Sequence, residues 1–544
     1  MESSADARWL KRDVRASVVG LIPFVCFFFL FLALLWPIEL RPSSDDTAHF
    51  SELQQLGVWG WVRMRAETWQ PRITSDLAFA VLVNHLRTWK LLNAGIMSLL
   101  LWVITRTALL GEGAAVDSRS TAVAPEDRVR MSRTRFATMA ASVPLLWFLI
   151  HPNVITSGSV WFTGSFYYLW PTTAMLIGLM PALLALYGKN LPWARALIPV
   201  CVVFSLIACF TEQTAAVQAG IMALVLLRLL ITRHRLPVAI TVQFAAVLVT
   251  SALFFYFDFA SPRVAQHAEL SLFPEFADFS MVDKLVLGIN VYTTHLLHVS
   301  NILFTVVSLL AGWMAFRRIK SGTGARIGMA TPATAQRWRT PVGLLAFLPG
   351  AWAVVNTLPL PWGYTQKTSE ALGGRPGALG VGMTGWLSYL SGSRPMSAAP
   401  TAGAVILSTV AVVCTVTVLW LLWLALPGRA DQYLGTVLYL AAFLSGILIG
   451  FSASIWASES RPNYISNFLL LLLLSMLLRA LLWGNSQTAA EQTLKRDRPV
   501  GASEMYWAKL PIAANLMLLA LAAFACYVWY LYHSVFATNV YWWY

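Results

Sequence analysis

Apolar residues run through this chain in stretches of about twenty, separated by short polar segments, with neither a two-residue nor a 3.6-residue alternation dominating. The runs lie near 17–38, 91–109, 136–152, 168–187, 196–211, 214–232, 238–257, 294–316, 341–358, 403–426, 433–451, 465–484 and 510–531. An α-helix rising 1.5 Å per residue needs ~20 such residues to cross ~30 Å of hydrocarbon, and it pairs its backbone groups internally. The pattern predicts an all-α polytopic membrane protein of about thirteen transmembrane helices, the eighth being the weakest. The first run follows "RWLKRDVR", which resembles the charged start of a signal peptide. No small-residue cleavage site follows "LLWPIELRP", so it reads as a retained first helix.

The segments between runs are short, and the chain reads as a single transmembrane domain over 1–544 without a separate soluble domain. Its largest outer segments are 39–90, 258–293 and 359–402. The first contains "FSELQQLGVWGWVRMRAETW", where Leu53, Leu56, Val58, Trp59, Trp61 and Val62 alternate with polar residues as in a helix lying in the interface. The third is rich in glycine and serine and reads as a loop or lid.

Composition agrees with the runs, since 58% of residues are hydrophobic and 12% charged. Most of the 39 Lys and Arg fall on the side that holds the N-terminus, which sets that side as cytoplasmic. The net charge of +14 is then a matter of topology and anionic lipid, not nucleic acid. Under this orientation Asp45, Asp46, His49, Glu52, Glu67, Asp76, His151, Glu212, Asp258, Glu269, Glu275, Asp278, Asp283 and Glu459 all lie outside, or at the outer end of a run. The inner loops hold no P-loop and no glycine-rich phosphate cradle, so chemistry is expected outside, without ATP or a nucleotide-sugar. Cys26, Cys201, Cys209, Cys414 and Cys526 sit within apolar runs and imply no disulfide framework.

Four features of the outer face carry the chemical reading. "SSDDTAHF" places Asp45 and Asp46 directly after the first run, with His49 close behind; helix capping by Ser44, Asp45 or Asp46 is the structural alternative. Glu212, followed by Gln213, stands in a tight outer hairpin, where a carboxylate near hydrocarbon faces a cavity, pairs with a cation, or is a solvated turn residue. After His151 comes "WFTGSFYYLWP", whose Trp161 and Tyr168 either stack on a sugar or belong to an interfacial aromatic belt, and whose Gly164 allows close backbone approach. Outer cations are few. Arg461, Arg263 and Arg72 stand next to run ends, where an arginine fork either meets phosphate or snorkels to the headgroups.

Topology, "SSDDTAHF" after the first helix and "WFTGSFYYLWP" after the third together resemble the GT-C glycosyltransferases, integral membrane enzymes that use polyprenyl-phosphate or diphosphate sugars on the outer face. The resemblance implies an inverting transferase of a bacterial plasma membrane, with a lipid-phosphate sugar donor and a cell-envelope glycan or lipid-linked acceptor. It puts the essential acid on Asp46 or Asp45 and the phosphate-binding arginine on Arg461, assisted by Arg263 and Arg72. Glu212, Gln213, His49, His151, Trp161 and Tyr168 would then contact sugar or acceptor. The large soluble C-terminal domain usual in the family is missing. "DD" also departs from a separated D-x-D, so no metal or other cofactor is expected to be required, a divalent cation being the one candidate addition. Two other classes compete. A lipid or lipid-linked sugar flippase would place its charges nearer the midplane. A zinc hydrolase would use His295 and His298, whose i, i+3 spacing puts both on one helix face.

Overall fold

The computed structural model of the 544-residue chain describes residues 20–40, 44–111, 125–189, 192–232, 236–260, 279–296, 302–320, 348, 402–452 and 461–493, and the regular structure among them is helical. Helix α1 spans Gly20–Leu35, α2 Asp45–Thr68, α3 Ile73–Leu82, α4 Leu86–Ala108 and α5 Pro125–Leu146. After an irregular segment come α6 Trp170–Leu186, α7 Pro192–Ala208, α8 Glu212–Ile231 and α9 Val238–Ala260. Helices α10 Met281–Leu296, α11 Ile302–Lys320, α12 Ala402–Ala425, α13 Arg429–Ile447 and α14 Tyr464–Thr493 complete the described part.

Among the described residues, seven stretches are long and apolar enough to cross a membrane: Leu86–Gly111, Phe162–Leu186, Glu212–Ile231, Val238–Phe257, Ile302–Ile319, Arg429–Phe451 and Tyr464–Trp483. Five shorter apolar helices accompany them: Gly20–Leu35, Ile73–Leu82, Thr134–Leu149, Leu197–Ala208 and Thr409–Ala425. By helix length and hydropathy the chain is a multi-pass membrane protein. Of the run expected at 294–316, the described residues belong to α10, which reaches Leu296, and to α11, which starts at Ile302; residues 297–301 lie outside the described residues. Helix α10 occupies positions assigned from sequence to the loop 258–293; Asp283 and Lys284 in its first turn mask an otherwise apolar helix. The runs 341–358, apart from residue 348, and 510–531 lie outside the described residues, as does 359–402 apart from its last position.

Helix α14 is the centre of the bundle. From Tyr464 to Arg479 its residues are buried on every side, against α4, α5, α11 and α13, as an all-round apolar sequence requires. Helix α9 is peripheral, presenting Val238, Val242, Val249, Leu253, Tyr256 and Phe257 outward as a lipid-facing surface. In α1 the buried residues Phe24, Phe27, Phe31 and Leu35 recur at helical spacing, and Phe27 meets the Trp147 ring edge-on at 5.1 Å. Between α10 and the turn Leu448–Phe451 the backbones touch. A Cβ on Gly450 would stand 2.3 Å from the Lys284 carbonyl oxygen and 2.5 Å from Gly288 N, so only glycine allows that approach.

One end of the bundle is closed by a buried charged clasp. Arg479 of α14 lies 2.5 Å from Asp431 of α13, and its Nη1 donates to the Ala108 carbonyl at the end of α4 at 2.8 Å. Tyr187, after α6, donates to the other Asp431 oxygen at 2.6 Å. Both charged side chains are at most 5% exposed. An isolated charge there would be costly, so removal of one partner strands the other. Arg479→Met alone is expected to lower stability by about 3–5 kcal/mol, while the Asp431→Leu/Arg479→Met pair recovers most of the loss. Thermal unfolding of the detergent-solubilised variants measures this; equal losses in the single and double variants would show that the two charges are not coupled.

Candidate functional site

The end of the bundle opposite the clasp is organised by the irregular segment between α5 and α6, "PNVITSGSVWFTGSFYYLWP". Two π-helical turns, Thr156–Val160 and Ser165–Leu169, flank the extended residue Trp161 and the turn Phe162–Gly164, so the chain doubles back on itself. Such turns are wider than α-helix and often occur at functional sites. Two glycines permit the fold. A Cβ on Gly164 would stand 2.0 Å from the Ser157 carbonyl oxygen, and one on Gly158 would stand 2.1 Å from the Tyr464 ring. The close approach expected at Gly164 is thus made by the chain itself.

This segment fastens α2, α3 and the start of α4 to the bundle. Asn93 of α4 donates to the Ser159 carbonyl at 2.6 Å, and Trp170 donates to the Asn93 amide oxygen at 3.0 Å. Trp89 donates to Ser165 Oγ at 2.9 Å, and Ser75 of α3 donates to the Phe166 carbonyl at 2.9 Å. Ser159 and Tyr464 share a 2.5 Å hydroxyl contact. Backbone groups left over where helical turns change register at Trp161 and at the π-helical turns must find partners inside protein, and these side chains supply several of them.

The adjacent aspartates diverge. Ser44 caps α2, accepting from Asp46 N at 3.2 Å while Thr47 Oγ1 accepts from Ser44 N at 3.3 Å, so neither carboxylate serves as the cap. Asp45 is exposed, whereas Asp46 is completely buried. Asp46 Oδ1 accepts from both the backbone N–H and the hydroxyl of Thr163, at 3.0 and 2.5 Å, and so ties the start of α2 to the turn. One turn later, His49 packs against Trp61 and Phe79, at ring distances of 5.6 and 5.7 Å. Burial, with Arg65 as the second cause, lowers its pKa from 6.5 to about 3. The 3.5 Å approach of Glu52 to His49 Nδ1 is therefore a contact with a neutral ring; the Glu52 carboxylate is anchored instead by Trp61 Nε1 at 3.0 Å.

Helix α2 is not one amphipathic rod. Gly57 has φ 68° and ψ 170°, a left-handed break that resets the helical phase. Leu53, Trp61 and Val62 are consequently buried, while Leu56 and Trp59 face outward, Trp59 being 74% exposed.

Arg72 and Glu212, assigned separately to phosphate and sugar, are each other's partners. Arg72 Nη2 lies 2.9 Å from Glu212 Oε1 and its Nε 3.2 Å from Oε2, a forked pair joining the start of α3 to the start of α8. The guanidinium also lies 4.8 Å from the centre of the Tyr167 ring. Burial disfavours the Arg72 charge, but the Glu212 carboxylate more than offsets this and holds the pKa above its ordinary value. Arg461 stands 5.0 Å from the centre of the Trp161 ring. Tyr168 lies 6.2 Å from Tyr464, Gln213 donates to the Ser445 carbonyl at 3.3 Å, and His151 is half-buried at the entry to the segment. Arg263 and His298 lie outside the described residues. No group of three metal-ligating side chains occurs among those described.

The sequence reading counted Asp76 among the outer carboxylates but gave it no role. Asp76 is 1% exposed on α3, and its Oδ1 accepts from Tyr167 OH at 2.7 Å. Its Oδ2 has no hydrogen-bond partner among the described residues. Burial raises its pKa from 3.8 to about 6, against the pull of Arg65, Tyr167 and Arg72. Arg65 is also buried, beside the rings of Trp61 and Trp69. The available signal was a lone acid in the apolar run "ITSDLAFAVL", since an ionisable group in such a run needs a local reason.

Comparison with protein-family models, with curated proteins and with solved structures finds no match.

His49 and Asp76 give opposite pH dependences. The folded state holds His49 neutral down to about pH 3, so its contribution to stability falls as pH drops through 6.5. It holds Asp76 protonated up to about pH 6, so that contribution rises as pH drops from 6 toward 3.8. Between about pH 4 and 6 the two oppose each other, each by roughly 3 kcal/mol. Asp76→Asn is expected to steepen the acid loss of melting temperature between pH 6.5 and 4, and His49→Gln to reverse it relative to wild type. Melting curves across that range check the signs.

Proposed function

We propose that this protein is a GT-C-like inverting glycosyltransferase. It moves a sugar from a polyprenyl-phosphate carrier to a cell-envelope glycan or lipid-linked acceptor, on the extracytoplasmic side of a bacterial plasma membrane. The observation that carries the reading is the convergence of carboxylates and arginines from distant parts of the chain on one aromatic segment at one end of the bundle. Asp46 is bonded to Thr163, Asp76 to Tyr167, Arg72 lies against Tyr167 and Arg461 against Trp161.

The reaction needs two things from such a face. A carboxylate takes the proton of the acceptor hydroxyl as the oxocarbenium-like transition state forms. A cation stabilises the departing lipid phosphate, whose charge develops at the headgroup level. Attack from the face opposite the phosphate inverts the anomeric carbon. We assign the cation role to Arg461, which lies against Trp161 of the aromatic segment, while Arg72 is forked on Glu212. Of the two rings assigned to sugar stacking, Tyr168 is half-buried, and Trp161 is buried with Arg461 over its ring. No metal is required by this scheme.

The flippase reading rests on the many spans alone, and one assay separates the two. Purified protein in lipid nanodiscs is expected to transfer radiolabelled sugar from at least one of a panel of synthetic polyprenyl-phosphate sugars. Arg461→Gln should lower kcat/KM by about 10²-fold, and Arg63→Gln, which touches only the exposed Glu67, should leave it unchanged. No transfer, together with movement of lipid-linked sugar across proteoliposomes, would replace the enzyme by the flippase.

A further inference from the structure

We infer that Asp76, rather than the adjacent pair Asp45 and Asp46, accepts the proton of the attacking hydroxyl; the inference rests on the glycosyl-transfer reading above. The first ground is the state of the three carboxylates. Asp45 is exposed on the surface of α2. Asp46 is fully buried and takes two hydrogen bonds from Thr163 on one oxygen, the arrangement of a tether. Asp76 is held on Oδ1 by Tyr167, and its Oδ2 lacks a partner among the described residues although the side chain is 1% exposed. A buried acceptor without a donor is costly, so a native structure keeps one where a donor arrives. An acceptor hydroxyl is such a donor.

The second ground is the surroundings. Asp76 stands one turn into α3, its backbone N–H bonded to the Arg72 carbonyl. The Arg72 and Glu212 side chains above it are 18% and 24% exposed, which gives the cluster an edge at the surface. The ionisable groups facing it are Arg65 from α2, Arg72 at the start of α3, Tyr167 from the irregular segment and Glu212 from α8, while His49 of α2 packs on Phe79 further along α3. Lys90 of α4 is turned away, donating to the Trp36 carbonyl at 2.6 Å. His49 is neutral through the working range, so Arg65 and Arg72 balance Asp76 and Glu212. A carboxylate raised to about pH 6 is ionised at neutral pH and more basic than an ordinary aspartate. In the step, the acceptor O–H bond breaks and its proton goes to Asp76 Oδ2. The acceptor oxygen bonds the anomeric carbon, and the carbon–oxygen bond to phosphate breaks with its electron pair on the lipid phosphate. Asp76 returns the proton to solvent between turnovers.

The test is the pH profile of transfer in nanodiscs for wild type, Asp76→Asn, Asp46→Asn and Tyr167→Phe, with donor binding and melting temperature measured on each. Asp76→Asn should lose about 10²–10⁴-fold in kcat while still binding donor. Tyr167→Phe removes a hydrogen bond to the ionised form, and the acid limb of its profile should move up by about one pH unit. Asp46→Asn should act through KM and melting temperature, with the acid limb unmoved. Transfer within twofold of wild type in Asp76→Asn, or an unmoved limb in active Tyr167→Phe, overturns the assignment and leaves Oδ2 to a resident water. Loss of the limb in Asp46→Asn moves the role to Asp46. A folded wild type that transfers nothing from any donor overturns the glycosyl-transfer reading itself, and the assignment falls with it.

Discussion

The bond on which the end opposite the clasp depends is the one between Thr163 and Asp46. A segment that leaves the α-helical path within a membrane bundle exposes backbone polar groups where no water is at hand, and it persists only when protein supplies their partners. Asp46 supplies two acceptor contacts to one residue of that segment, and the charge it brings is itself secured by them. Asn93, Trp89 and Ser75 complete the attachment from α3 and α4. The consequence is rigidity: the α2–α3 hairpin and the crossing segment are joined through buried side chains, and the aromatic rings of Trp61, Phe79, Phe162 and Phe166 fill the space between them at centroid distances of 5.1 to 6.2 Å.

The two ends of the bundle use charge differently. At the clasp, Asp431 meets Arg479 and Tyr187, and Arg479 also reaches the Ala108 carbonyl; opposite charges are matched where the ends of α4, α6 and α13 meet the middle of α14. At the other end Arg72 and Glu212 match each other, while Asp76 Oδ2 and Arg65 Nε lack hydrogen-bond partners among the described residues. A closed, matched network contributes to holding helices together. An incompletely matched one, kept buried at a cost, fits a place where something else binds.

Much of the fold was legible because one physical constraint writes it: a spanning helix must be apolar for about its whole length. Where that constraint loosens, the sequence reading slipped. Asp283 and Lys284 hid α10, which starts at Met281 within a segment read as a loop. The amphipathic pattern of α2 was read with one helical phase, whereas Gly57 divides it into two, so that Leu53 before the break and Val62 after it, about 180° apart on an unbroken helix, are both buried. The site was legible by composition but not by pairing. Asp46 and Thr163 are 117 residues apart, Arg72 and Glu212 140, and no local periodicity encodes such partners.

That difference bears on the adjacent aspartates. Two neighbouring aspartates draw attention as a pair, yet successive residues on a helix point about 100° apart, so one helix turn can present Asp45 to solvent and bury Asp46. Once Ser44 takes the capping role, the pair has no common task. A solitary aspartate among apolar neighbours is quieter in sequence but more constrained in space, because each of its two oxygens needs a separate account in a medium without water. For Asp76 one oxygen is accounted for by Tyr167. The unaccounted one, not the doubled acid, is where the chemistry of this face is best sought.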